Sequence, residues 1–155
     1  MMYPGRARPG PARLGKVRQG KGFKDFNEGD RVKIWHLKTY PYPIRVVLLL
    51  SKRGQDARNY LAKKYPSIDV SDLCHSDGCS FYFHKGRNRR VFFVWISKFS
   101  LDNIDSITTL GHEIFHTISS VFNFIGLEEK PSGEAGAYYF DYLFRQALKK
   151  LTGGK

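Results

Sequence analysis

The chain has 155 residues, enough for one domain with a tail and enough to bury a core without disulfides. Hydrophobic residues at 41% and aromatics at 15% exclude a wholly disordered protein, and the apolar runs Val46–Leu50 and Val91–Ile96 are too short to span a bilayer. Lys and Arg outnumber Asp and Glu by 26 to 14, a net charge of +12 concentrated in the first 90 residues, which suggests an electrostatic role in front and a chemical one behind.

Residues 1–30 read as a basic arm. Gly5, Gly10, Gly15 and Gly20 recur among Pro4, Pro9 and Pro11, and apolar periodicity is absent. Such a segment cannot offset its ordering entropy by burial. Arg6, Arg8, Arg13, Lys16, Arg18, Lys21 and Lys24 stand there with no acidic residue before Asp25, a pattern suited to nucleic acid or to the acidic surface of a neighbouring protein chain. The first residues lack the apolar stretch of a secretory signal, and two cysteines are too few for a disulfide scaffold. A cytoplasmic setting, with no membrane contact, is the expectation.

Residues 31–155 read as one α+β domain. Arg31 to His36 alternate like a strand, and Tyr40-Pro41-Tyr42-Pro43 breaks the pattern. Ile44 to Ser51 read as a buried strand, and Gln55 to Lys64 as a helix stopped before Pro66. Ser80–His84 and Arg90–Ser97 form an expected hairpin around a basic turn. Lys85, Arg87, Arg89 and Arg90 make that turn a second candidate contact for phosphate, although a solvated turn is the simpler reading. A long helix should follow the capping residues of 102–106 and end near Asn123 or Gly126. A second helix, capped by Ser132 after Pro131, should end at Gly153-Gly154. Helices stacked on a small sheet are the expected architecture.

The motif that carries chemistry is His112-Glu113-Ile114-Phe115-His116. Residues four apart on a helix lie one above the other, so both imidazoles face the same way and can share one Zn²⁺. Glu113 is rotated about 100° from His112 and can reach an attacking water without being a ligand. With five His and five Glu in the chain, the pattern arises by chance with a probability of roughly 0.5%. A third protein ligand is needed, and Phe122 excludes a His six residues after His116. Glu134, at the start of the next helix, is the alternative, with Glu128 or Glu129 as substitutes; to reach the pair it needs the motif helix to end early, near Phe122, with the chain folding back.

His112-Glu113-x-x-His116 followed by Glu134-Ala135-Gly136-Ala137-Tyr138 resembles the gluzincin metallopeptidases, in which the third zinc ligand is a Glu on the following helix. The same run is similar to small phage-encoded predicted metallopeptidases, and more distantly to the ImmA/IrrE metallopeptidases. The resemblance covers about residues 90–150. It implies a small zincin-like fold, a short sheet packed on the motif helix and on the Glu-bearing helix. It implies zinc held by His112, His116 and Glu134, with Glu113 as catalytic base in the hydrolysis of a peptide or protein substrate. Gluzincins often carry an acidic residue four after the ligand Glu, where this chain has Tyr138.

Asp141, seven residues after Glu134, is a candidate to orient a ligand His, and Tyr138 a candidate oxyanion donor. A surface carboxylate and a packing tyrosine are the plainer readings. Strand 91–96 precedes the motif helix and is expected to offer an edge to an extended substrate. Cys74, His75 and Cys79 fall within six residues but lack a second ligand pair, so buried thiols are expected rather than a structural zinc. The rival functional class is a structural or nucleic-acid-associated virion protein with this fold and little turnover; the arm and the charge favour it, and the complete chemical set favours the enzyme.

Overall fold

A computed structural model of the chain describes residues 32–67, 77–84, 90–127, 130 and 132–154. The arm, Cys74, His75 and the turn residues Lys85, Arg87 and Arg89 lie outside the described residues. The order of elements is β1 (Val32–Leu37), β2 (Arg45–Ser51), α1 (Gly54–Lys64), β3 (Gly78–His84), β4 (Arg90–Ile96), α2 (Ile104–Ile125) and α3 (Glu134–Leu151). The fold is mixed α and β. Among the described residues no helix is long and apolar enough to cross a membrane.

The four strands form one sheet in the order β1-β2-β4-β3. β2 pairs antiparallel with β1 and parallel with β4, while β3 pairs antiparallel with β4. β2 and β4 are therefore interior, and their sequences, Val-Val-Leu-Leu-Leu and Val-Phe-Phe-Val-Trp-Ile, are apolar without alternation because both faces are covered. Val46, Leu48, Phe92, Val94 and Ile96 face α2 and α3, and Val47, Leu49, Val91, Phe93 and Trp95 face α1. The hairpin expected from the sequence is present, but strand 91–96 has no free edge. Its two neighbours consume its backbone groups, and β3 takes the outer position instead.

The buried residues of α2, among them Leu110, Ile114, Ile118, Val121 and Phe122, recur every three or four positions and form one stripe against the sheet. Asn103 caps the helix, its side chain accepting from the Asp105 N–H at 2.9 Å. The other end is closed at Gly126, whose φ of 71° is the left-handed conformation that glycine reaches without a Cβ penalty. The Leu127 N–H then bonds back to the Phe122 carbonyl at 3.0 Å.

α3 starts one residue later than expected. Gly133, not Ser132, is its N-cap, and it supplies no side-chain cap. Gln146 ties the helix to the end of β1 by two bonds to Lys38, accepting from the backbone N–H at 2.8 Å and donating to the carbonyl at 3.0 Å. Tyr139 stacks near Phe122 with ring centroids 6.2 Å apart, and Tyr42 meets Tyr139 edge-on at 5.2 Å. The segment of alternating Tyr and Pro is thus folded over the helical layer.

Candidate metal centre

The His pair and the intervening Glu occupy the middle of α2, where helical spacing sorts them onto different flanks. Glu113 belongs to the buried side with Ile114 and Thr117, and is 8% exposed. His112 and His116 are exposed on the neighbouring flank. Their rings meet edge-on, with centroids 4.4 Å apart and planes at 87°. The two Nε2 atoms converge to 2.9 Å. At that distance one ring nitrogen donates to the other.

The 2.9 Å separation is that of an ordinary hydrogen bond, and holding a metal would require the two nitrogens to move apart. Two nitrogens at about 2.0–2.1 Å from one tetrahedral ion lie about 3.3–3.4 Å apart. The observed separation differs from that by less than about half an ångström, within reach of small ring rotations. Both donor atoms are presented from one helix that is anchored by its buried stripe.

Glu113 sits where α2 crosses the outer strand. A Cβ built on Gly78 in β3 would come within 2.5 Å of Thr109 Cγ2 and 3.1 Å of Glu113 Cγ. Gly78 has no positive φ, so its lack of a side chain serves space rather than conformation. It lets the strand lie against the helix beside the carboxylate. Among the described residues no hydrogen bond or ion pair reaches the Glu113 side chain.

The remaining candidates are dispersed. Among the described residues, no three or more His, Cys, Asp or Glu side chains come together to hold a metal. Glu134 is exposed at the first position of α3. Helical geometry accounts for this. α2 continues nine residues beyond His116, about 14 Å of axis. A Cβ at Gly111 would touch Phe140 and Phe144 at 3.7 and 3.8 Å, which puts those residues of α3 beside the motif's first turn. Glu134 precedes Phe140 by six residues, about 9 Å of helix. α2 thus runs on past Phe122 to Ile125, and Glu134 is not brought to the two imidazoles.

Asp141 is not brought to a His. Its carboxylate accepts from Arg145 Nε at 2.7 Å in an exposed pair one helical turn apart. Tyr138 is 70% exposed. Arg90, expected among the basic turn residues, is packed between aromatic rings, its guanidinium carbon 4.9 Å from the Tyr82 centroid and 4.6 Å from that of Phe124. Its Nε is buried with no partner, so this side chain is spent on packing. Cys79, on β3, is in no disulfide. Sequence reasoning missed Gly78, because Asp-Gly before a strand reads as a turn signal and nothing local announces that a helix will cross there.

Compared with models of known protein families, with characterised proteins and with solved structures, the chain matches none.

Proposed function

We propose that the chain is a zinc-dependent peptidase working through His112, Glu113 and His116, with Glu134 as the third protein donor and an extended peptide as substrate. The reading rests on the 2.9 Å approach of the two Nε2 atoms on the helix that also carries Glu113, packed beside Gly78 of β3. The resemblance of the His-Glu-x-x-His and downstream Glu-Ala run to gluzincins supports it. Zinc bound there would supply Lewis acidity and bring the pKa of water toward about 7. Glu113 takes a proton from the attacking water and delivers it to the leaving amine. The packing of its Cγ beside Gly78 of β3 holds the side chain in one place. β3 is an outer strand of the described sheet, and a peptide adds beside it as a further strand. In this proposal Gly78 keeps β3 level with Glu113.

Metal content and turnover test the assignment together. Full-length protein purified without chelator should carry about one equivalent of zinc. His112→Ala should carry less than a tenth of that, and Glu134→Ala should bind zinc more weakly. Glu113→Gln should keep the metal and lose peptide hydrolysis by several orders of magnitude. A wild-type protein that stays below a tenth of an equivalent after zinc reconstitution would remove the centre. Wild-type metal affinity in Glu134→Ala would remove the third donor. Stoichiometric zinc with no hydrolysis of a diverse peptide library would favour the structural alternative.

A further inference from the structure

β2 and β4 are parallel neighbours, yet the chain leaves their carboxyl ends toward opposite faces of the sheet. After β2 it enters α1, which packs Ala57 and Leu61 against Val47 and Leu49. After β4 it enters α2, on the face of Val46 and Leu48. Divergence of this kind opens a crevice outside the carboxyl ends of the strands, where open sheets with parallel strands bind ligands. A cavity of about 550 Å³ lies there, within the range of small-molecule sites, about 300–1,000 Å³.

Its lining is cationic. Lys33 from β1, Lys52 and Arg53 from the loop after β2, and Lys98 after β4 converge on it, against one carboxylate, Asp56. These cations come from three separate stretches of chain and meet because β1, β2 and β4 are adjacent. Leu50 and Phe99 supply an apolar wall. The loop carrying Lys52 and Arg53 is held from below by Ser51, which is 2% exposed. The Ser51 hydroxyl accepts from Trp95 Nε1 at 2.9 Å and donates to the Arg53 carbonyl at 2.9 Å. α1 begins at Gly54, so the positive end of its dipole adds to the same field. None of His112, Glu113 and His116 lines the cavity.

We propose that this cavity binds a phosphate-bearing small molecule of nucleotide size, its phosphates among Lys33, Lys52, Arg53 and Lys98 and its organic part against Leu50 and Phe99. Several cations around one concave surface recognise a compact polyanion better than a single charge. The apolar wall favours an ester over the bare anion.

The test is calorimetric titration of the full chain with ADP and, separately, with inorganic pyrophosphate, which isolates the phosphate contribution. ADP should bind saturably, and pyrophosphate more weakly. Lys98→Gln should weaken ADP about tenfold and Lys52→Gln/Arg53→Gln about a hundredfold. Lys149→Gln/Lys150→Gln, which removes as much charge from the end of α3, should leave affinity within about twofold. Lys98 is exposed and outside every element, so its variant carries the test should the double variant fail to fold. His112→Ala should bind ADP as wild type does, which separates this site from the metal centre. The proposal is overturned by any of three results: no saturable ADP binding by wild type, equal weakening in the α3 variant, or cavity variants that bind as wild type does. Saturable binding of duplex DNA but of neither small anion, lost in the cavity variants, would equally overturn it in favour of a nucleic-acid surface.

Discussion

Replacing Gly78 by Ala probes the approach of β3 to α2 that the proposed centre depends on. The new Cβ would stand 2.5 Å from Thr109 Cγ2, 3.1 Å from Glu113 Cγ and 3.3 Å from Ile96 Cδ1. Relaxing the first contact to ordinary packing distance needs a displacement of about 0.9–1.0 Å, and overpacking of this kind costs about 1–3 kcal/mol. Two effects reduce the cost. Thr109 can change rotamer, because threonine populates two in a helix, and Ala loses less backbone entropy than Gly on folding, worth about 0.4–1 kcal/mol. The net expectation is destabilisation of about 0.5–2 kcal/mol. Thr109→Ser removes the Cγ2 methyl that makes the closest contact. In that background Gly78→Ala should be neutral or slightly stabilising, giving a coupling energy of about 1 kcal/mol or more. Urea unfolding of the wild type, both single variants and the double variant measures it. Additivity within about 0.3–0.5 kcal/mol would refute the close approach of strand and helix, and with it the placement of Glu113 beside the sheet edge.

Tyr139 is 6% exposed, and its hydroxyl is buried with no partner. Tyr139→Phe should therefore raise stability by about 1 kcal/mol, read as a higher urea midpoint at unchanged slope. Burial, then the nearby Tyr42 and Tyr142, raise the pKa of this hydroxyl well above its ordinary value. The folded state holds that proton more tightly than the unfolded one, so the contribution is intact below about pH 10 and is lost as pH rises beyond it. Tyr139→Phe should lose less stability above pH 10 than wild type does, and identical alkaline curves would contradict the burial. His36 is shifted the other way, its pKa lowered first by burial and then by the charges of Lys64 and Arg45. The unfolded chain takes up that proton first, so stability present above about pH 6.5 is lost as pH falls below it. His36→Gln should flatten that part of the pH–stability curve, and a slope equal to wild type would count against the shift. Ser51→Ala should cost about 1–3 kcal/mol in urea unfolding by leaving the indole N–H of Trp95, 1% exposed, without its acceptor. A loss under about 0.5 kcal/mol would mean the bond contributes little.

The elements were legible because their signals are local. The apolar runs at 45–51 and 90–96 became the two interior strands, and α2 stops at Gly126, the later of its two expected ends, rather than near Phe122, where a Glu134 ligand needed it to stop. Spacing of four on a helix brings His112 and His116 together whatever surrounds them, so their convergence follows from the backbone period alone. Residue order also implied a Glu on the following helix, and Glu134 is there, at its first position.

Other features depend on how elements meet. Apolar content identifies a strand but not its place in the sheet, so the outer position of β3 and the loss of an edge at 91–96 follow only from the pairing. Nothing near Gly78 reveals that Thr109 and Glu113, 31 and 35 residues further along the chain, will press against it. The length of α2 beyond His116 and the packing of Phe140 and Phe144 at Gly111 set where Glu134 stands, and a seventeen-residue gap cannot encode that crossing. Lys33, Lys52 and Lys98 look like unrelated surface charges in the sequence. They face one cavity because strands separated in the chain are neighbours in the sheet. Local periodicity specifies a helix or a strand through short-range backbone geometry. Side chains distant in sequence meet only when burial of the two sheet faces selects one packing of those elements.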